Sequence, residues 1–190
     1  MNKLLTLPRH PGDMLRLLVG TAILLFCTVT VREHHVGVLE TDLFRLANDL
    51  PTALYPAFWV VMQAGNVVAV GVAAVAVAAT RRFWLAANLA ITGIGVWLVA
   101  KWIKQEVGRG RPADLLPDVT IRGNPDSGLG FVSGHAAVAV AIATLIAPYL
   151  GRRARWVAFA VAGLVCVSRM YVGVHLPLDV VGGAALGWAA

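Results

Sequence analysis

The sequence predicts an all-α, polytopic membrane protein with six transmembrane helices and one short interfacial helix. Of the 190 residues, 58% are hydrophobic and only 14% are charged, whereas a soluble domain is typically about a quarter charged. The charged residues stand in short clusters between long uncharged runs. Several of those runs approach the roughly 20 apolar residues that a spanning helix needs. We therefore expect a single membrane-embedded domain over residues 1–190.

Six apolar segments are predicted to cross the membrane. The second is interrupted only by Gln63 and Asn66, and the sixth begins near Pro177 and runs to Ala190. Because the sixth is too short to span, we expect it to be truncated, as in a fragment of a longer chain. The first follows a basic N-terminus without a clear small-residue cleavage site, so we expect a retained span rather than a signal peptide. The segments cover residues 15–31, 54–79, 83–103, 133–150, 156–171 and 177–190.

A short amphipathic segment separates the first two spans. Residues 39–50 place their apolar side chains roughly on one helical face and Glu40, Asp42, Arg45 and Asp49 on the rest. This pattern is typical of a helix that lies in the membrane interface. An ordinary amphipathic connector explains it equally well.

Basic residues in the short loops predict the orientation, because such residues favour the cytoplasmic side. One set lies in the N-terminus and in the loops after the second and fourth spans, which predicts a cytoplasmic location for these three regions. A second set falls on the outer side, against the rule, and anion binding is the natural explanation. The net charge of +6 does not indicate a nucleic-acid partner, because the charges stand in short clusters between long uncharged runs. The first set is Lys3, Arg9, Arg16, Arg81, Arg82, Arg152, Arg153 and Arg155, and the second is Lys101, Lys104, Arg109, Arg111 and Arg122.

The cysteines and the N-terminal histidines do not indicate a metal site. Cys27 and Cys166 both lie in apolar runs, so buried free thiols are expected. The cluster Glu33-His34-His35 has no matching ligand pattern elsewhere in the chain. His10 is expected to be a solvated residue of the N-terminal tail.

Three polar clusters at predicted helix ends on the outer side favour a phosphate site. Lys104, Arg111 and Arg169 supply three cations that can share the oxygens of one phosphoryl group. The pair Ser133-Gly134 opens the fourth span, where free backbone N–H groups face an anion and glycine permits close approach. Any one of these cations alone would more often extend to the interface as an ordinary surface residue. Their convergence with two histidines favours a functional site.

The two histidines have different predicted tasks. His175 and Asp179 are four residues apart, and Pro177 between them fits only the first turn of a helix. Asp179 is favoured there by the helix dipole, and it can orient one imidazole nitrogen of His175 so that the other attacks. His135 can then donate a proton to the leaving oxygen and afterwards activate water.

The three clusters resemble the signatures of the type 2 phosphatidic acid phosphatase family, which is related to the vanadium haloperoxidases and to glucose-6-phosphatase. Lys104, six residues and Arg111-Pro112 resemble the first signature, and Ser133-Gly134-His135 the second. Ser168-Arg169, five residues, His175, three residues and Asp179 resemble the third. Val132 stands where the family usually has proline, from which we expect altered loop rigidity rather than lost chemistry.

The resemblance implies a role for each matching residue. His175 would be the nucleophile that forms a phosphohistidine, Asp179 would orient it, and His135 would protonate the leaving group. No metal or cofactor is implied. The residues implied to hold the phosphate are Lys104, Arg111, Ser133, Gly134 and Arg169.

The resemblance also implies a substrate class, and the basic loops predict the location. The family's substrates include phosphatidate, lysophosphatidate, phosphatidylglycerol phosphate, sphingosine phosphate and undecaprenyl diphosphate. We expect a multi-pass protein of the plasma membrane whose active site lies on the extracytoplasmic side, with the lipid bilayer and a lipid phosphate as its partners. A phosphatase or transferase acting on another phosphate ester, or a non-catalytic module of a larger membrane protein, remain alternatives. The sequence predicts neither the particular lipid nor the oligomeric state.

Overall fold

The computed structural model describes residues 11–33, 35–123 and 128–190 of the chain. All regular structure within them is helical, which confirms the all-α prediction. His10 and His34, like Lys3 and Arg9, lie outside the described residues. The α-helices of the described part are α1 (Pro11–Val31), α2 (Val38–Asn48), α3 (Tyr55–Met62), α4 (Val67–Ala79), α5 (Phe83–Val107), α6 (Pro112–Leu115), α7 (Gly134–Ile146), α8 (Arg152–Tyr171) and α9 (Pro177–Ala189).

The long apolar helices indicate an integral membrane protein. Helices α1, α5 and α8 are each long and apolar enough to cross a membrane, and they correspond to the first, third and fifth predicted spans. Helices α3 and α4 qualify together as one broken span. Helices α7 and α9, the fourth and sixth predicted spans, have only 13 residues each. Within the described residues, three or four helices therefore have the length and composition of a crossing, and not the predicted six.

The second predicted span is not one continuous helix, because the chain bends by 65° between α3 and α4. Asn66 has an extended backbone (φ −70°, ψ 148°), and its side chain accepts a hydrogen bond from the amide of Val68 at 3.0 Å. Asn66 is thus the N-cap of a new helix. A Cβ on the preceding Gly65 would lie 2.6 Å from the carbonyl oxygen of His135. The break therefore places the α3–α4 corner directly against the start of α7.

Helix α7 lies at the centre of the molecule. Most of its residues are buried, as expected for a helix that is apolar on all sides. Gly183 and Gly187 of α9 pack against the α7 backbone, where a Cβ would contact the carbonyl oxygens of Ser133 and Ala137. These glycines are four residues apart, the spacing that allows two membrane helices to approach closely. On its other side α9 contacts α1, where a Cβ on Gly20 would lie 2.8 Å from the Cβ of Ala189.

Helix α2 forms where the amphipathic segment predicted a helix, but Phe44 and Ala47 do not share the exposed environment of the leucines. Leu39 and Leu46 are largely exposed, whereas Phe44 is buried on the same predicted apolar face. Asn48 and Glu40 turn inward with Phe44 and are buried. The reason is that Asn48 binds backbone groups of the protein. Its Nδ2 donates to carbonyl oxygens of neighbouring segments at 2.9–3.3 Å, and its Oδ1 accepts from a backbone amide at 3.0 Å.

The two cysteines are free. Cys27 is buried, as predicted, whereas Cys166 is only partly buried. Val132, at the position of the usual family proline, is fully buried. It packs with Cys27, Val31, Ala100 and Phe131 in a cluster between α1, α5 and the loop before α7.

Candidate active site

One cavity of about 610 Å³ lies where the C-terminal parts of α5 and α8 meet the start of α7. Six of the eight predicted site residues line it. The other two, Ser133 and Asp179, are fully buried beside it. The structure thus brings the three separate sequence clusters together. The six lining residues are Lys104, Arg111, Gly134, His135, Arg169 and His175.

His175 lies in the turn between α8 and α9, with its Nδ1 facing Asp179. The Nδ1–Oδ2 distance is 3.6 Å, and both side chains are buried. This distance is longer than a hydrogen bond, and Nδ1 has no hydrogen-bond partner among the described residues. Catalytic hydrogen bonds are often long in an unliganded site and shorten when substrate binds. The structure places the Asp179 carboxylate next to Nδ1 of His175 without a hydrogen bond between them.

The carboxylate of Asp179 is fixed by its place at the start of α9. It lies in the first turn, after Pro177, as the sequence predicted. Its Oδ2 accepts a hydrogen bond from the amide of Leu176 at 2.8 Å, which completes a capping interaction at the helix N-terminus. The same oxygen faces His175, so the capping bond also sets the direction of the carboxylate toward the imidazole.

The second cluster forms the N-terminus of α7, as predicted. Ser133 is the N-cap, and its hydroxyl accepts a hydrogen bond from the amide of Ala136 at 3.4 Å. Gly134 is the first residue of the helix and lines the cavity. His135 follows it and also faces the cavity. The unpaired amides of a first turn and its positive dipole favour a bound anion at this position.

Two of the predicted phosphate-binding cations are anchored by loop carbonyls. Lys104 Nζ donates to the carbonyl oxygens of Leu129 and Gly130 at 2.8 and 2.9 Å. Arg111 Nη1 donates to the carbonyl oxygen of Val174 at 2.8 Å. These bonds hold both cations at the cavity wall, and they tie the loop before α7 to α5 and the His175 turn to the start of α6.

The third cation, Arg169, is buried near the C-terminus of α8. Its side chain is only 3% exposed, and its Nη1 lies 3.5 Å from the sulfur of Met62. Its backbone carbonyl accepts from the amides of Val174 and His175 at 3.2 and 3.3 Å. The residue therefore places a positive charge beside the cavity and shapes the turn that carries His175.

The environment of His175 favours a neutral imidazole. Burial lowers the pKa of His175 well below its ordinary value of 6.5, and the positive charges of Lys104, Arg169 and Arg111 lower it further. A neutral imidazole keeps a free electron pair at neutral pH. This is the protonation state that a nucleophilic histidine requires.

Two residues of the site were not predicted, namely Arg109 and Glu40. Arg109 is 1% exposed and donates to both Glu40 and Asp179. The sequence indicated Arg109 only as one of five outer cations expected to bind an anion, and Glu40 only as part of a polar helix face. The anion that Arg109 binds is a pair of carboxylates of the protein itself.

Arg122 is another outer cation that binds the protein. Its Nη1 donates to the carbonyl oxygens of Asn48 and Tyr171 at 2.8 and 2.6 Å, and its Nη2 donates to that of Leu50 at 2.8 Å. Its guanidinium carbon lies 4.3 Å from the centre of the Tyr171 ring. The three carbonyls and the ring account for its burial, and anion binding by Arg122 stays a prediction.

Across the described residues, no three side chains from His, Cys, Asp and Glu lie close enough together to hold a metal ion. Lys101, the remaining outer cation, lies with its Nζ 3.9 Å from the centre of the Trp97 ring. Both residues line the cavity next to Trp102. The wall on this side is therefore aromatic as well as cationic.

A family model described as the PAP2 superfamily matches residues 81–190. The chain is 38% identical over 124 residues to decaprenylphosphoryl-5-phosphoribose phosphatase of Mycolicibacterium smegmatis. It is 36% identical over 100 residues to phosphatidylglycerophosphatase B of Bacillus subtilis. These matches cover 64% and 47% of this chain and 63% and 46% of the two relatives. The chain thus spans less than two thirds of the curated relatives that it matches.

Two solved structures have a similar fold. The crystal structure of Aquifex aeolicus LpxE matches with a TM-score of 0.72 and 27% identity, covering 80% of this chain and 91% of that one. A transmembrane PAP2-type phosphatidylglycerolphosphate phosphatase from Bacillus subtilis matches with a TM-score of 0.74 and 21% identity, covering 92% and 91%. At that lower identity the likeness concerns the fold alone.

Proposed function

The chain belongs to the PAP2 superfamily, and on that basis we propose that it is a metal-independent membrane phosphatase acting on a lipid phosphate or a polyprenyl diphosphate. One observation carries the proposal. The His175–Asp179 pair, the second histidine and three cations surround a single cavity. A buried neutral imidazole next to a cationic anion site is suited to attack on phosphorus.

In the proposed reaction, His175 is the nucleophile. Its Nε2 attacks phosphorus as the bond to the leaving oxygen breaks, which gives a phosphohistidine and the free alcohol or polyprenyl phosphate. Asp179 accepts a hydrogen bond from the Nδ1–H group of His175 and stabilises the positive charge of the imidazolium. His135 donates a proton to the leaving oxygen and then takes one from the water that attacks the phosphohistidine. Cleavage of the phosphorus–nitrogen bond releases inorganic phosphate and regenerates neutral His175.

The phosphoryl oxygens would be held by charges and backbone amides together. Lys104, Arg111 and Arg169 supply cations, and Ser133 and Gly134 supply the helix start. Charge-assisted hydrogen bonds of this kind are the strong ones, and they strengthen further as charge develops on the equatorial oxygens.

The substrate class is inferred from the relatives and from the cavity wall. The names of both curated relatives describe phosphatases of lipid-linked phosphates. In this chain the cavity is bordered by Val67, Trp97, Ala100 and Trp102, and Trp102 is largely exposed at the outer surface of α5. An apolar tail in the bilayer could therefore lie along α5 while its phosphate enters the cavity.

We further propose six membrane crossings with the site on the extracytoplasmic side of the plasma membrane. The broken pair α3–α4, α7 with its following 3₁₀ turn (Ala147–Tyr149), and α9 would form the crossings that their length alone does not identify. The basic residues at the starts of α1 and α8 and between α4 and α5 would then face the cytoplasm.

The proposal is tested by phosphate release from the purified protein in detergent with excess EDTA. The panel is phosphatidate, phosphatidylglycerol phosphate, undecaprenyl diphosphate and soluble glycerol phosphate, with His175→Ala as the matched control. We expect release from at least one lipid substrate and none from the control. Release from glycerol phosphate alone would overturn the lipid specificity. Activity that disappears in EDTA and returns with Mg²⁺ would overturn the metal-free mechanism, and no release from any substrate would overturn the enzymatic function.

A further inference from the structure

A buried arginine joins the catalytic aspartate to a glutamate on a helix outside the three motifs. Arg109 Nη1 donates to Asp179 Oδ1 at 2.8 Å and to Glu40 Oε1 at 3.1 Å, and its Nη2 donates to Glu40 Oε2 at 2.8 Å. The side chains of Arg109, Glu40 and Asp179 are 1%, 8% and 0% exposed. An arrangement this deeply buried is screened little by solvent, so the charges act on each other strongly.

Glu40 also contacts the helix that carries Asp179. Its Oε1 accepts a hydrogen bond from the amide of Leu178 at 3.1 Å, which ties α2 to the first turn of α9. Asp179 is consequently held on both oxygens, with Oδ1 bound by Arg109 and Oδ2 bound by the amide of Leu176. The Oδ2 atom also faces His175, whose Nδ1 lies 3.6 Å away.

We propose that Glu40 and Arg109 are positioning residues that set the orientation and the effective charge of Asp179. The inference rests on the proposed function, in which Asp179 supports the nucleophile His175. Arg109 alone would neutralise Asp179 and weaken its hold on the imidazolium. Glu40 offsets that effect, because two carboxylates around one guanidinium leave one net negative charge for His175.

Other charged and titratable groups surround His175 and Asp179, and substitutions of Glu40 or Arg109 do not remove them. Lys104 on α5, Arg111 after it, His135 on α7 and Arg169 on α8 act on His175 from the cavity side. The Cys27 thiol on α1 lies close enough to Glu40 and Asp179 to be affected by their charges. Variants of Glu40 and Arg109 therefore change the charge behind Asp179 while these groups stay in place.

The arrangement predicts pH shifts of opposite sign. Glu40→Gln keeps the shape of the side chain but removes a negative charge, which disfavours the imidazolium. The acid limb of kcat/KM, where His175 gains a proton, should move to lower pH. Arg109→Gln removes a positive charge and should move the limb to higher pH. We expect displacements of about 0.5–1 pH unit, and the double variant should return the limb toward the wild-type position.

The kinetic constants provide a second readout. Because neither residue lines the cavity, kcat should fall on the order of 10- to 100-fold in each single variant, with KM unchanged. Arg109→Lys keeps the positive charge but loses the bidentate geometry of the guanidinium. Its acid limb should therefore lie at the wild-type pH, while its kcat stays below that of the wild type. Asp42→Asn, on the exposed face of α2, and Arg153→Gln, at the exposed start of α8, are the matched charge controls.

The experiment is the pH dependence of kcat/KM for purified variants on the best substrate of the wild-type protein, with thermal stability measured in parallel. Opposite shifts and a restored double variant support the inference. Two shifts of the same sign, or Glu40→Gln with wild-type kcat and limb position, would overturn it even if Arg109→Gln fails to fold. An inactive wild-type protein would instead contradict the proposed function, so the two failures are distinct.

Discussion

The backbone amide of Ser133 donates to the carbonyl oxygen of Asp179 at 2.9 Å, so the first turns of α7 and α9 are joined directly. Each turn carries a proposed catalytic residue, His135 on one and Asp179 on the other. The join is possible because Gly183, one turn further along α9, has no side chain. A Cβ there would contact the carbonyl oxygen of Ser133 and lie 3.3 Å from the Cβ of Ala136. The relative position of the two catalytic groups is thus fixed by backbone packing.

Gly183→Ala should therefore lower both stability and activity. The added methyl has to displace the α7 backbone, and overpacking of this kind typically costs about 1–3 kcal/mol. Thermal unfolding in detergent measures the first effect and phosphate release the second. Gly163→Ala on α8 is the matched control, since a Cβ there has no atom within 4 Å. Equal effects of the two substitutions would contradict the role of the α7–α9 contact.

The two histidines should separate on an activated substrate. His135→Ala removes the proton donor, which typically contributes about 10²–10⁴-fold. A nitrophenyl phosphate ester that enters the cavity needs little protonation of its leaving group, so it should partly rescue this variant. His175→Ala lacks the nucleophile and should stay inactive on every substrate, with Asp179→Asn between the two. Single-turnover phosphate release measures all three, and a labelled phosphoenzyme trapped in His175→Ala would reverse the assigned roles.

The acid limb of kcat/KM should lie below pH 6.5. Burial and neighbouring cations lower the pKa of His175, so the imidazole stays neutral and active as the pH falls through 6.5. Activity is lost only when the pH passes below the lowered pKa. Lys104→Gln removes one of these cations and should raise the pKa, which moves the limb to higher pH. A limb that stays in place while KM rises would mean that Lys104 acts on the phosphate alone.

Arg122→Gln should affect folding rather than substrate binding. Its guanidinium is held by three carbonyl oxygens and one aromatic ring. Loss of charged hydrogen bonds of this kind costs roughly 1.5–3 kcal/mol each. We expect a lower unfolding temperature with KM unchanged. Arg111→Gln is the comparison, and there KM should rise. A raised KM with unchanged stability in Arg122→Gln would instead support the anion-binding role that the sequence predicted.

Thiol labelling of intact cells tests the proposed orientation. Asp118, exposed after α6, would face outward, and Arg153, exposed at the start of α8, would face the cytoplasm. Asp118→Cys should react with a membrane-impermeant reagent, and Arg153→Cys should react only after the membrane is opened. Labelling of Arg153→Cys in intact cells, with Asp118→Cys protected until the membrane is opened, would show that the proposed topology is inverted. The parent with Cys27 and Cys166 alone gives the background.

The sequence was most informative where local signals determine structure. Ser133 at a helix start and Asp179 after Pro177 were predictable because capping depends on a few neighbouring residues. Asn66 gave a similar signal, a cap residue before an apolar run, and the break in the second span follows from it. The uniform hydropathy of residues 54–79 obscured that signal.

Long-range partners were not predictable in the same way. Arg109 and Arg122 look equivalent in the sequence, yet Arg109 binds two carboxylates and Arg122 binds three backbone carbonyls. Glu40 is one of several acids on an amphipathic helix. Its inward direction depends on α2 packing against α9, which no local pattern encodes.

The contact between Glu40 and Arg109 limits which segments can be exchanged between related proteins to make chimeras. The region that the family model matches begins at residue 81 and contains every motif residue, whereas Glu40 lies on α2, well before it. A chimera that joins residues 81–190 to the N-terminal half of a relative would inherit the complete set of motifs. It would bury Arg109 against whatever residue the foreign helix offers. Exchange of this segment therefore preserves the charge balance behind Asp179 only when an acidic partner for Arg109 is transferred with it.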